Sequence, residues 1–186
     1  MMQRQDIEYN LTLLGEELQE MGLQKPIRLL LIGGAYMITQ KIGERKTTGD
    51  IDVIVSLDHP LTPHEHHLFK SAIRFVAYDL GISETWLNDL ASEALTSTGK
   101  IPKGTPWRTF GKLIEIVLPP KDFILACKLL AGRNKDRNDI IALCEVLRIK
   151  QQEQAQAIVD TYFPDRQFQE LSDVPATLEE FFSPGR

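Results

Sequence analysis

The sequence predicts an α/β fold, a small mixed sheet with flanking helices and a C-terminal helical cap. Three observations predict it. Short apolar runs at 27–32, 50–55 and 113–118 alternate with helical patterns, as expected of strands interleaved with helices. The runs are bounded by strong punctuation, Gly33-Gly34 after the first and Pro119-Pro120 after the last. Beyond Pro120 only helical patterns remain. The organisation reads as an α/β core with an N-terminal helix over 1–118, a helical cap over 119–163 and a tail over 164–186.

Residues 5–23 form the first expected helix, with Ile7, Leu11, Leu14, Leu18 and Met21 at three- and four-residue steps. Pro26 bars its continuation, and 27–32 read as a short buried strand. A second helix begins at Ala35-Tyr36-Met37-Ile38 and ends before Gly43. The polar turn 44–49 leads to the strand that opens at Asp50. Pro60 and Pro63 mark a loop before a long helix, 64–80, which Gly81 stops. Residues 83–110, rich in Ser, Thr, Gly and Pro, read as irregular apart from a short helix near 86–95. After the third strand come helices at 121–131 and 138–149, bridged by a polar turn from Gly132 to Arg137. A Gln-faced helix at 151–162 and a last short one at 177–182 complete the reading.

The 186 residues suffice for one ordinary domain with a helical extension. A net charge of −5 argues against broad coating of DNA and leaves local basic patches open. Cys127 and Cys144 lie in apolar helical patterns and read as small buried hydrophobes. No stretch approaches the roughly 20 apolar residues of a membrane span, and residues 1–10 carry no signal-peptide pattern. A reducing cytoplasm is the expected location.

The chemistry lies at Gly33-Gly34 and Asp50-Ile51-Asp52. Successive strand residues point to opposite faces, so Asp50 and Asp52 share a face while Ile51 points to the core. Carboxylates so placed, roughly 6–7 Å apart, repel each other unless a cation sits between them. The glycine pair lets backbone N–H groups approach a phosphate at a helix N-terminus. A metal with a phosphate beside it proposes phosphoryl or nucleotidyl transfer. Glu115 interrupts the third apolar run, and if its strand lies beside the Asp strand it joins Asp50 and Asp52 on one or two Mg²⁺ ions.

These features resemble the polymerase-β-type nucleotidyltransferase superfamily, and most nearly the bacterial AbiEii-like and related small families. The glycine pair, the Lys46-x-Thr48-x-Asp50-Ile51-Asp52 segment and a later lone carboxylate carry the likeness. Lys128, then Lys135-Asp136-Arg137 and Asp139-Ile140, are similar in type and order, as is Trp86-Leu87-Asn88-Asp89. The likeness covers roughly residues 27–145. It implies a sheet of the nucleotidyltransferase type, an NTP substrate with Mg²⁺ or Mn²⁺, and transfer of an NMP to an acceptor hydroxyl. It also implies the toxin of a toxin–antitoxin or phage-defence pair, with an antitoxin partner and tRNA or protein as acceptor. Asp50, Asp52 and Glu115 are the expected metal ligands. Gly33, Gly34, Lys46, Thr48 and Lys128 are the expected nucleotide contacts, and Lys128 and Asp136 join the catalytic set.

This chain departs from the family pattern in places. Fifteen residues separate Gly34 from Asp50, a slightly long spacing. Lys46 stands where an Arg is usual, with Arg45 adjacent, and Lys cannot reproduce a bidentate grip on phosphate. Lys128 either points into a cleft or snorkels from the core edge. Asp136 and Asp139 can form ion pairs, cap a helix or act as a base. Arg133, Lys135 and Arg137 form a local positive patch. His59, His64, His66 and His67 invite a zinc reading but do not share one helical face, so they read as a polar helix start. Trp107-Arg108 either stacks a base or anchors a loop.

Overall fold

The structure, a computed structural model, describes residues 1–182; 183–186, the end of the expected tail, lie outside them. It is an α/β fold. Among the described residues the sheet has five strands: β1 (Ile27–Leu31), β2 (Ile51–Val55), β3 (Leu87–Asn88), β4 (Thr105–Phe110) and β5 (Ile114–Leu118). Their order is β3-β2-β1-β5-β4. β1 runs antiparallel to β2 and parallel to β5, β2 runs parallel to β3, and β4 runs antiparallel to β5.

The helices are α1 (Arg4–Glu20), α2 (Gly33–Gln40), α3 (Pro63–Leu80), α4 (Leu90–Thr98), α5 (Lys121–Ala131), α6 (Arg137–Leu147), α7 (Gln152–Tyr162), α8 (Arg166–Leu171) and α9 (Val174–Phe182). A 3-10 turn, Asn134–Asp136, precedes α6. No helix among the described residues is long and apolar enough to cross a membrane.

The chain divides into two compact units. One comprises Met1–Thr39, Lys46–Ser92 and Lys103–Pro119; the other comprises Gln40–Arg45, Glu93–Pro102 and the chain from Pro120 onward. The second unit thus gathers two short segments of the expected 1–118 region together with helices of the cap and tail.

In the first unit, α1 buries the stripe Ile7, Leu11, Leu14 and Leu18 completely, the face its helical spacing dictates. It packs on α3 and on the β4–β5 hairpin. Gly15 permits that approach, since a Cβ there would stand 2.3 Å from the Phe110 carbonyl oxygen. α3 starts where sequence logic requires. Thr62 and Glu65 form a reciprocal capping box, Pro63 occupies the first turn, and Gly81 closes the helix in the left-handed conformation. His64, His66 and His67 stand exposed on that first turn.

Two strands lie where an irregular segment was expected. β3 is only two residues long. β4 reads as loop because Pro106 removes a donor and most of its side chains face water. As an edge strand it tolerates both, with a register shift between Pro106 and Arg108. In the second unit α5 packs against α6, α7 and α9, burying Phe123, Leu129, Leu143, Val159, Phe163 and Leu178 completely. α8 was not expected, and α9 starts three residues before the expected 177–182 helix, with Pro175 tolerated in its first turn.

Candidate active site

In the first unit the glycine turn and the aspartate strand meet. β1 ends at Leu31 and α2 begins directly at Gly33. Gly33 has φ +65°, a left-handed conformation that disfavours a side chain. The space a Cβ would take is already occupied, because such an atom would stand 2.3 Å from Asp52 Oδ2. The Asp52 carboxylate therefore lies over the first residue of α2, at the end of the helix that carries partial positive charge. Antiparallel pairing fixes this arrangement, for the Ile32 amide donates to the Asp52 carbonyl at 3.0 Å. Asp50 stands just before β2 and is half-buried like Asp52.

Thr48, an expected nucleotide contact, is engaged by the turn itself. It is 3 % exposed, its backbone bridges Met2 in both directions at 2.7 and 2.9 Å, and its hydroxyl donates to the Asp50 carbonyl at 3.1 Å. Its three polar groups are spent on the turn, so Thr48 sets the backbone of Asp50. Lys46 is exposed beside it, and Gly34 is half-buried in the first turn of α2.

Glu115 is not part of this site. β5 lies beside β1 rather than β2, and Glu115 pairs across the ladder with Arg28. The Arg28 guanidinium holds its Oε2 through Nε at 3.1 Å and Nη2 at 3.0 Å. Glu115 does share the Asp52 face, since Arg28 and Ile32 are four positions apart on one strand. Four residues along β1 and two strand spacings across separate them by roughly 16 Å. Glu115 therefore lies toward the other end of the sheet from the glycine turn. Among the described residues, no three His, Cys, Asp or Glu side chains are grouped as a metal would need. The parallel β2–β3 register instead sets Asn88 beside Asp52.

The second unit holds Lys128 and Asp136, and both depart from expectation. Lys128 is 2 % exposed. Its ammonium donates to Asp136 Oδ1 at 2.7 Å and to Asp139 Oδ2 at 2.8 Å. Asp136 also accepts from Arg133 Nε at 2.7 Å. Asp139 accepts from Arg45 Nε at 3.0 Å, and the Arg45 Nη2 donates to the Lys135 carbonyl at 3.1 Å. Lys128 therefore neither snorkels nor reaches for a phosphate, and Asp136 has neither a capping bond nor a free oxygen to serve as a base. Burial by itself pushes the Asp136 carboxyl up, but Lys128 and Arg133 together bring it below its ordinary value. The signal was legible in principle. A lone Lys in an apolar helix requires buried counter-charges, and Asp136 and Asp139 stand three residues apart at the start of the next helix.

The remaining candidates are accounted for. Burial pushes the Cys127 thiol up to about 12 and the Cys144 thiol to about 11, so neither is an available thiolate at neutral pH. Trp107 lies on β4 with the Arg4 guanidinium 5.8 Å from its ring centre, and Arg108 pairs with Glu8 at 2.6 Å. Comparison with known proteins returns no matching family model and no matching curated protein.

Proposed function

We propose that this chain is a Mg²⁺-dependent nucleotidyltransferase that moves an NMP from an NTP to an acceptor hydroxyl. The supporting observation is the Asp52 carboxylate lying over Gly33, with Asp50 two residues before it. These are hard oxygen donors, half-buried rather than sealed, and they suit Mg²⁺ or Mn²⁺. Bound there, the ion supplies charge neutralisation for the triphosphate and polarises the transferred phosphoryl group.

The chain's own residues do the rest. Asp50 and Asp52 hold the ion. The first N–H groups of α2, opened by Gly33 and Gly34, receive phosphate oxygens. Lys46 supplies an exposed cation to the same phosphates, while Thr48 keeps Asp50 in place. In the reaction the acceptor oxygen forms a bond to the α-phosphorus and the α–β bridging bond breaks. Pyrophosphate leaves with the electron pair, and the acceptor proton passes to solvent. The family likeness points to RNA, such as a tRNA 3′ end, or a protein side chain as acceptor. It also points to the toxin of a toxin–antitoxin or phage-defence pair, at work in the bacterial cytoplasm.

A second reading is a catalytically silent fold that binds a protein or RNA. It draws on Glu115, Lys128 and Asp136 being engaged in ion pairs that include neither Asp50 nor Asp52. Incubation with each labelled NTP, Mg²⁺ and total bacterial RNA or protein separates the two. Label transfer that disappears in Asp52→Asn supports the enzyme. MgNTP binding with no transfer to any acceptor supports the silent module, and an Asp52→Ala variant with undiminished MgNTP affinity overturns the metal assignment.

A further inference from the structure

Asn88 is held in place from both sides while its own carboxamide is unspent. On one side Trp86 is buried, its indole donates to the Ile73 carbonyl at 3.1 Å, and its carbonyl accepts from the Ile51 amide at 2.7 Å. On the other, Asp89 accepts from Lys70 of α3 at 2.5 Å. Together they lock β3 onto β2 in a parallel register that pairs Ile51 with Leu87 and Asp52 with Asn88. Cross-strand partners put their side chains on the same face, one strand spacing of about 4.8 Å apart. Asn88 is half-buried, and no side-chain hydrogen bond joins its carboxamide to another described residue. A rigidly presented polar group with nothing to bind, next to a carboxylate at a glycine turn, is what a ligand position requires.

We propose that Asn88 is the third protein ligand of the divalent ion, its Oδ1 standing where Glu115 was expected. The inference rests on the nucleotidyltransferase reading and adds a residue that reading lacks. A carboxamide contributes an oxygen without charge, so the protein presents two negative charges to the ion rather than three. Hard cations tolerate such carbonyl ligands, and affinity follows the number of charged ligands. The site is therefore tuned to weak metal binding completed by the substrate's phosphates.

The test is Mn²⁺ titration of the full chain, followed by loss of the free-ion paramagnetic resonance signal, with and without NTP. Thermal melts of each variant establish folding. Asn88→Ala is expected to weaken Mn²⁺ binding about tenfold, Asn88→Asp to tighten it by a similar factor, and Asp52→Asn to abolish it. Asn88→Asp changes little in shape, so it carries the test should the alanine variant fail to fold. Wild-type titration by both Asn88 variants, alongside loss in Asp52→Asn, overturns the role of Asn88 and leaves the enzyme reading standing. Weakening by both Asn88 variants also overturns it, because Asn88 would then shape the strand without ligating. Undiminished binding by Asp52→Asn, or no uptake by the wild type under either condition, overturns both.

Discussion

The ion network around Lys128 shows how a single buried charge dictates its surroundings. Three cations, Arg45, Lys128 and Arg133, share two carboxylates, Asp136 and Asp139. Each carboxylate is buried with two cationic partners, so removing the central ammonium leaves charge underpaired in a low-dielectric setting. Lys128→Met is therefore expected to lower the unfolding free energy at pH 7 by about 3 kcal/mol, read by urea denaturation. The pH profile carries the sign. Asp136 has a folded pKa below its ordinary 3.8. Its contribution is complete above that ordinary value and disappears as pH falls through the lowered folded one. The gap between wild type and Lys128→Met should be full at neutral pH and close as falling pH protonates the carboxylates; a pH-independent gap rules out the charge explanation. At this scale the sequence was only half legible. Asp50, Asp52 and Gly33 could be picked out because strand alternation and turn geometry are local. The roles of Lys128 and Glu115, and the bridge from Thr48 to Met2, depended on partners 8 to 87 residues away in the chain, which periodicity does not encode.

Elements were legible where their signals are strong. α3 carries a capping box, a proline in its first turn and a terminal glycine, and its bounds fall within one residue of those expected. β4 carries strand formers in Thr105, Trp107, Thr109 and Phe110, but Pro106 and its mostly exposed side chains mask them, and its place on the sheet edge is a tertiary property. The α1–hairpin contact shows what that edge is for. α1 covers the hairpin only because Gly15 lets its backbone close on Phe110 and Gly111. A Cβ at Gly15 meets main-chain atoms, Phe110 O at 2.3 Å and the Gly111 Cα at 2.8 Å, which cannot swing aside as a flexible side chain would. Helix propensity alone makes Gly→Ala favourable by about 1 kcal/mol, and here the clash opposes it. Gly15→Ala should lower the melting temperature, with a net loss of about 1–3 kcal/mol. Stabilisation by the alanine, the usual outcome on an open helix face, would refute so tight a contact.

For the whole molecule, charge sets the terms on which a nucleotide binds. The chain carries −5 overall, and its glycine turn faces the carboxylate of Asp52. A bare triphosphate meets repulsion there, and two neighbouring carboxylates alone hold a divalent ion weakly. Each ligand removes the obstacle to the other, so their binding free energies should couple, with reciprocity required by linkage. A ligand at one hundred times its dissociation constant stabilises the folded state by about 2.7 kcal/mol. For a chain of this size that raises the melting temperature by roughly 5–10 °C. Melts with Mg²⁺ alone and with NTP in chelator should therefore shift little, while the two together should shift by that full amount. Asp52→Asn should lose the joint effect while keeping the fold, since the substitution preserves the side chain's shape at a partly exposed strand position. Equal shifts with NTP in chelator and with MgNTP would show that the nucleotide binds without the acidic pair. A joint shift that survives Asp52→Asn would place the binding elsewhere on the chain, and either result removes the basis for assigning catalysis to the glycine turn.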